Sequence, residues 1–160
     1  MHKLLLLTSL LLSVSLYAQA PNLETAEEEA YRYSIQDLYE FNLYTKECND
    51  SIVKSCHLLA DIYREGVDVR PNKPKALALY KKACDVNYMD SCTSYATMLE
   101  TGNGVKKDLN KAAKYYHLAC EGGSGISCLV LGSMYRNNKA EADKYNKLAC
   151  ELGYKSMCEE

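Results

Sequence analysis

The sequence predicts an all-α protein, an α/α solenoid of stacked helix pairs with each pair stapled by a disulfide. Three observations carry that expectation. All eight cysteines fall into one spacing, Cys-x7-Cys, repeated at Cys48/Cys56, Cys84/Cys92, Cys120/Cys128 and Cys150/Cys158. Aligned on the first cysteine of each pair, residues 48–83, 84–119 and 120–149 superpose as units of 36, 36 and 30 residues, followed by a stub at 150–160. A period in this range marks a helical repeat array. Within each unit the apolar residues recur at helical spacing: Leu59, Ile62 and Tyr63 reappear as Tyr95, Met98 and Leu99, and again as Leu131, Met134 and Tyr135.

Taken in chain order, residues 1–20 read as a secretory signal peptide. His2 and Lys3 precede an apolar run from Leu4 to Tyr17 that ends in Ala18-Gln19-Ala20. Cleavage is expected after Ala20, or after Ala18 because Pro21 would otherwise become the new N-terminus. The run is shorter than the roughly 20 residues of a membrane span, and no cysteine sits at its end to carry a lipid, so no membrane anchor is expected. Removing residues 1–20 leaves 140 residues with 18 Lys and Arg against 21 Asp and Glu, a net charge of −3. That balance argues against nucleic acid or an acidic membrane as partner. Secretion or a periplasmic location follows. Residues 21–47 are expected to form an N-terminal capping helix: 23–47 hold no Gly or Pro, and Glu27 to Glu29 suit a helix N-terminus.

The repeat domain spans 48–160. In each unit a first helix, A, is followed by Gly66 or Gly102, placed where a left-handed residue ends a helix at low steric cost. A polar loop with Pro71 and Pro74, or with residues 103–108, leads into a second helix, B, that runs to the next cysteine. The shared columns are Val69 with Val105, Lys75-Ala76 with Lys111-Ala112, and Leu79-Tyr80 with Tyr115-Tyr116; each unit closes on Ala-Cys. The third unit lacks six loop residues, so Asn137 and Asn138 turn directly into Lys139.

The cysteine spacing has a geometric consequence. A continuous α-helix separates residues eight apart by roughly 12 Å, whereas a disulfide needs Cα atoms about 4.4–6.8 Å apart, so the chain must double back between partners. Eight cysteines allow 105 pairings; the aligned repeat selects the local one. An even count in an exported chain reads as disulfides rather than metal ligands, and neither a metal nor a cofactor is expected. On the chain-entropy model, each closed loop of about 9 residues contributes roughly 2.5 kcal/mol.

A two-helix unit with a central Gly, a Val-x5-Lys-Ala entry to helix B, aromatic pairs and a closing Ala-Cys resembles the Sel-one-like repeat, a relative of the tetratricopeptide repeat. With Cys-x7-Cys in every unit behind a signal peptide, residues 40–160 are similar to the Helicobacter cysteine-rich proteins. The resemblance implies a right-handed solenoid whose helix pairs are each locked by one disulfide. It also implies either penicillin binding with weak β-lactamase activity or a scaffold for peptides and proteins. The chain departs from larger members in having fewer units and a shortened third loop.

Little in the residues advertises catalysis. Ser51-Ile52-Val53-Lys54 spells the Ser-x-x-Lys of serine β-lactamases, but neither Ser-Asp-Asn nor Lys-Thr-Gly is present, and Thr101-Gly102 follows Glu100. Ser51 is expected in a turn. After the signal only His57 and His117 remain, too few for a zinc hydrolase. No catalytic residue is assigned. Glu47-Cys48-Asn49-Asp50-Ser51 contains an Asn-x-Ser acceptor, read here as coincidence, and Gly102-Asn103-Gly104 is read as a turn because Lys107 stands where a phosphate loop needs its third Gly.

Binding is expected on the A helices, at positions off the core stripe. These are His57, Asp61 and Arg64 in the first unit, Thr93, Thr97 and Glu100 in the second, and Leu129, Ser133 and Arg136 in the third, each trio at i, i+4, i+7 and so on one helix face. Fourteen tyrosines are read mainly as packing residues. The expected function is binding of a peptide-like ligand: a muropeptide, the β-lactam that mimics it, or an extended segment of a partner protein. A weak β-lactamase and a pure protein-interaction scaffold are the alternatives.

Overall fold

The computed structural model describes residue 36, residues 38–66 and residues 69–158. The expected signal peptide and the first part of the expected capping helix lie outside the described residues. The chain divides into two compact units, Met1–Tyr39 and Glu40–Glu160. In the first, residues 36, 38 and 39 are helical; everything below concerns the second.

The second unit is helical throughout its regular structure, with no strand among the described residues. Residues 40–49 form α1, followed by α2 (Val53–Glu65), α3 (Lys73–Cys84), α4 (Met89–Thr101), α5 (Leu109–Glu121), α6 (Gly125–Met134), α7 (Lys139–Glu151) and a 3₁₀ turn at Lys155–Met157. Helices α2, α4 and α6 are the A helices and α3, α5 and α7 the B helices. Each A helix packs on its own B helix, α3 packs on α4, and α5 packs on α6, so the first two units are each covered by the next, while the third is followed by the 3₁₀ turn, which packs on α7.

Local chemistry sets the boundaries. Gly66 (φ 80°) and Gly102 (φ 75°) cap α2 and α4 in the left-handed region, where a side chain would be strained. Each B helix begins at a polar N-cap that takes a backbone N–H left without a helical partner: Asn72 from Lys75 at 3.1 Å, Asp108 from Lys111 at 2.9 Å and Asn138 from Glu141 at 3.5 Å. Asn138 closes the shortened third loop directly onto α7, as the six-residue deletion requires. The core is a column of small and aromatic residues: Ala60, Ala76, Tyr80, Ala96, Ala112 and Tyr116 are all essentially inaccessible.

The four cysteine corners share one backbone design. The residue three after the first cysteine has positive φ in every corner: Ser51 (68°), Asn87 (64°), Gly123 (97°) and Gly153 (99°). The next N–H then bonds back to the carbonyl five residues earlier, Ile52 to Glu47, Tyr88 to Ala83, Ser124 to Ala119 and Tyr154 to Ala149, at 2.8–3.1 Å. This 6→1 closure after a left-handed residue is a Schellman stop. It reverses the chain within one turn. The cysteine Cα atoms consequently lie 4.6, 4.6, 4.8 and 5.0 Å apart, and all four local disulfides form. Ser51 is therefore the reversing residue of a corner, while Lys54 belongs to α2, so the Ser-x-x-Lys spelling does not stand on one helix face.

Candidate functional site

In the first two units a buried tyrosine on the B helix reaches across to the A helix. The Tyr80 hydroxyl donates to the Asp61 carboxylate and accepts from Arg64 Nε at 3.0 Å. One repeat on, the Tyr116 hydroxyl donates to Glu100 Oε2 at 2.7 Å and lies 2.9 Å from Thr97 Oγ1. Burial, reinforced by Asp61, pushes the Tyr80 phenol well above its usual range. Burial does the same to Tyr116, with Thr97 opposing and Glu100 adding to the rise. Burial works against the Arg64 charge, yet its bonds to Tyr80 and Asp61 hold the guanidinium more firmly protonated than usual. Arg64 also meets Asp61 at 3.1 Å and Glu65 at 2.7 Å. The third unit carries Asn146 in the tyrosine column, and Gly132 replaces Ala60 and Ala96: a Cβ there would run into Asn146 Oδ1.

A second set of bonds joins consecutive units. Ser91 Oγ lies 2.9 Å from His57 Nδ1, and Ser127 Oγ lies 2.8 Å from Thr93 Oγ1, which also meets Ser124 at 3.1 Å. His57 Nε2 is 3.4 Å from Asp61 Oδ2, and the ring packs between Tyr80 and Tyr88 with centroids 5.4 and 5.3 Å away. Ser91, His57 and Asp61 thus stand in the order of a hydrolytic triad. Two facts decide against that chemistry. Ser91 is 0% exposed, leaving no approach for a substrate carbonyl, and the equivalent Ser127 makes the same bond to a threonine, which is no general base. The arrangement is a repeat junction. The sequence reading missed this serine column, although Ser-Cys recurs at 55–56, 91–92 and 127–128, in three of the four cysteine corners.

Beside this framework lie two open grooves built from the same repeat positions. The first, of about 630 Å³, is lined by Arg64, Ser94, Thr97, Met98 and Thr101 with Gly102 and Asn103 at its end. The second, of about 510 Å³, is lined 36 residues on by Glu100, Val130, Ser133, Met134 and Asn137, joined by Lys107, Leu109 and Arg136. Of the residues singled out from the sequence, Arg64, Thr97, Glu100, Ser133 and Arg136 border these grooves. His57, Asp61 and Thr93 instead hold the helix pairs and junctions together, and Leu129 packs against the core. Among the described residues no cluster of three His, Cys, Asp or Glu is placed to hold a metal ion, no cysteine is free, and no helix is long and apolar enough to cross a membrane.

The fold recurs in known proteins. The Sel1 repeat matches residues 53–88 and 90–124, which hold the helix pairs α2/α3 and α4/α5. Helicobacter pylori cysteine rich protein B is 33% identical over 71% of this chain and 91% of its own, with a TM-score of 0.57. The chain belongs to the Sel1 repeat family. Further Sel1-type solenoids share its fold at lower identity. The Sel1 repeat protein from Oxalobacter formigenes is 23% identical over 73% of this chain, with a TM-score of 0.69. A protective antigen of uropathogenic Escherichia coli displaying an SLR fold is 21% identical over 86% of this chain, with a TM-score of 0.70. The chain spans 50% and 35% of these two proteins' lengths. No curated protein matches it. What membership establishes is a disulfide-rich Sel1 repeat scaffold, the kind of repeat array that generally mediates protein–protein interaction.

Proposed function

We propose that this Sel1 repeat protein is an exported binding scaffold that grips an extended segment of a partner polypeptide along the tandem grooves of its A helices. The observation that carries the reading is the recurrence of a groove built on five equivalent positions, Arg64, Ser94, Thr97, Met98 and Thr101 in the first and Glu100, Val130, Ser133, Met134 and Asn137 a repeat on. The rims carry Thr97 and Thr101, whose hydroxyls donate to the carbonyls of Thr93 and Thr97 and keep acceptor capacity, with Ser133 and Asn137 one repeat on and the half-buried Met134 beneath them, a mixture suited to polar contacts and side-chain burial. Export is supported by the leader-like residues 1–20 and by four disulfides, which persist in oxidising compartments. A muropeptide or β-lactam would be a smaller occupant of the same grooves. Hydrolysis is not favoured, because the Ser91 hydroxyl is inaccessible.

The test is binding of short unstructured peptides to the oxidised protein, followed by amide chemical-shift mapping. Shifts confined to the ends of α4 and α6, and lost in Thr97→Arg and Ser133→Arg variants of unchanged melting temperature, are expected. Shifts mapping to the B helices, or a muropeptide bound where no peptide binds, would overturn the reading.

A further inference from the structure

Resting on that reading, we infer that the second groove selects an acidic side chain of the bound segment, set beside an apolar one. The two grooves differ in how their cations are used. In the first, Arg64 is already committed to Asp61, Glu65 and the Tyr80 hydroxyl. In the second, Lys107 and Arg136 line the wall, both exposed, and among the described residues neither has an acidic group within ion-pair distance. The one carboxylate of this groove, Glu100, accepts the Tyr116 hydroxyl from the helix pair behind it. Two cations against one carboxylate leave the groove with a single excess positive charge. Val130, Met134 and Leu109 supply an apolar lining between these charges.

A guanidinium and an ammonium lining one groove suit a carboxylate, which accepts charge-assisted hydrogen bonds from either. A neutral side chain would leave both cations facing nothing but water, and a basic one would meet like charge. The loop that carries Lys107 and the turn after α6 that carries Arg136 belong to successive units, so this basic pocket exists only where these two units stack.

The probes are three sets of fluorescent short peptides, leucine-containing and unstructured, with acidic, neutral or basic residues at alternate positions. Acidic peptides are expected to bind about tenfold more tightly than neutral ones at low ionic strength, with the preference fading as salt rises. A Lys107→Gln/Arg136→Gln double variant, confirmed folded by its melting curve, is expected to bind acidic and neutral peptides alike, while Arg64→Gln keeps the preference. Equal affinity of the native protein for acidic and neutral peptides would overturn the inference and leave the scaffold standing. A preference that survives the double variant would overturn it too. No binding by any set would remove both.

Discussion

His57 and Ser91, 34 residues apart in sequence, share a 2.9 Å hydrogen bond that ties the first unit to the second. Thr93 and Ser127 repeat it at 2.8 Å between the second and third. The serine is buried at both junctions, so its hydroxyl has given up water and is satisfied within the protein, Ser91 by His57 across the boundary and Ser127 by Thr93 across it and by Ser124 on its own side at 3.2 Å. Ser91→Ala is expected to cost about 1–2 kcal/mol by leaving the imidazole nitrogen unpaired. The check is a fall in the denaturant midpoint with an unchanged slope. Ser91→Ala and Ser127→Ala act at separate junctions and should add to within about 0.5 kcal/mol; a strong coupling between them would contradict the independence of the two joints.

The corner residue Ser51 makes a prediction of opposite sign. Its φ of 68° is shared by Asn87, Gly123 and Gly153 at the equivalent positions, but only glycine adopts that region without a penalty from Cβ. Ser51→Gly is therefore expected to stabilise the oxidised protein by about 1 kcal/mol, less any entropy that glycine adds to the unfolded chain. Asn87→Gly should gain less, since asparagine tolerates this conformation better. Thermal midpoints of the two variants decide the matter, and a destabilised Ser51→Gly would show that the serine is held by something other than its corner.

How much of this was legible follows from where the information sits. The pairing of Cys48 with Cys56 and its repeats could be read because disulfide geometry demands a reversal at a fixed spacing, and internal repetition removes the other pairings. Gly66 and Gly102 announced the ends of α2 and α4 through their own conformational freedom. The left-handed Ser51 and Asn87 gave no such signal, being visible only once aligned with Gly123 and Gly153. The expected face positions lie on α2, α4 and α6 except Arg136, which falls in the turn after α6. What they touch was not legible, because helical periodicity says which way a residue points but not what the next unit brings against it. His57 and Thr93 meet Ser91 and Ser127 through contacts 34 residues long. Likewise nothing local reveals that Gly132 makes room for Asn146; that match lies between two helices.

Tyr80 and Tyr116 predict alkaline sensitivity. Both phenols are raised above their ordinary value by burial, so in the folded protein they hold protons that the unfolded chain releases near pH 10. Their contribution is fully present below about pH 10 and is lost as pH climbs toward the folded values, each costing up to about 1.4 kcal/mol per pH unit in that window. Urea unfolding between about pH 9 and 12 should show this decline, and it should be shallower in Tyr80→Phe and Tyr116→Phe. Those variants also remove the hydroxyl bonds to Asp61 and Glu100, so their stability at neutral pH is expected to be lower by about 1 kcal/mol even as the alkaline slope relaxes. A slope unchanged in both would mean that other groups govern it.

The fourth disulfide differs from the other three in what covers it. Cys48, Cys56, Cys84, Cys92, Cys120 and Cys128 are all buried, each beneath a following helix pair, whereas Cys150 is half-buried and Cys158 exposed behind a single 3₁₀ turn. Thiol–disulfide exchange requires the attacking thiolate to reach a sulfur in line, so access controls the rate wherever the folded state persists. Brief treatment with a mild reductant at neutral pH, followed by alkylation and peptide mapping, is expected to label Cys150 and Cys158 first. The remaining bridges should resist until the protein unfolds. Loss of this bridge frees the turn at 155–157 from α7, on which it packs, but leaves α2 to α6 and both grooves intact. Peptide binding should therefore survive selective reduction at the fourth bridge. It should vanish when reduction reaches Cys120 and Cys128, because that corner sets α6 against α5 and hence the wall carrying Ser133 and Arg136. Simultaneous labelling of all four pairs under native conditions would refute the protection assigned to the inner corners.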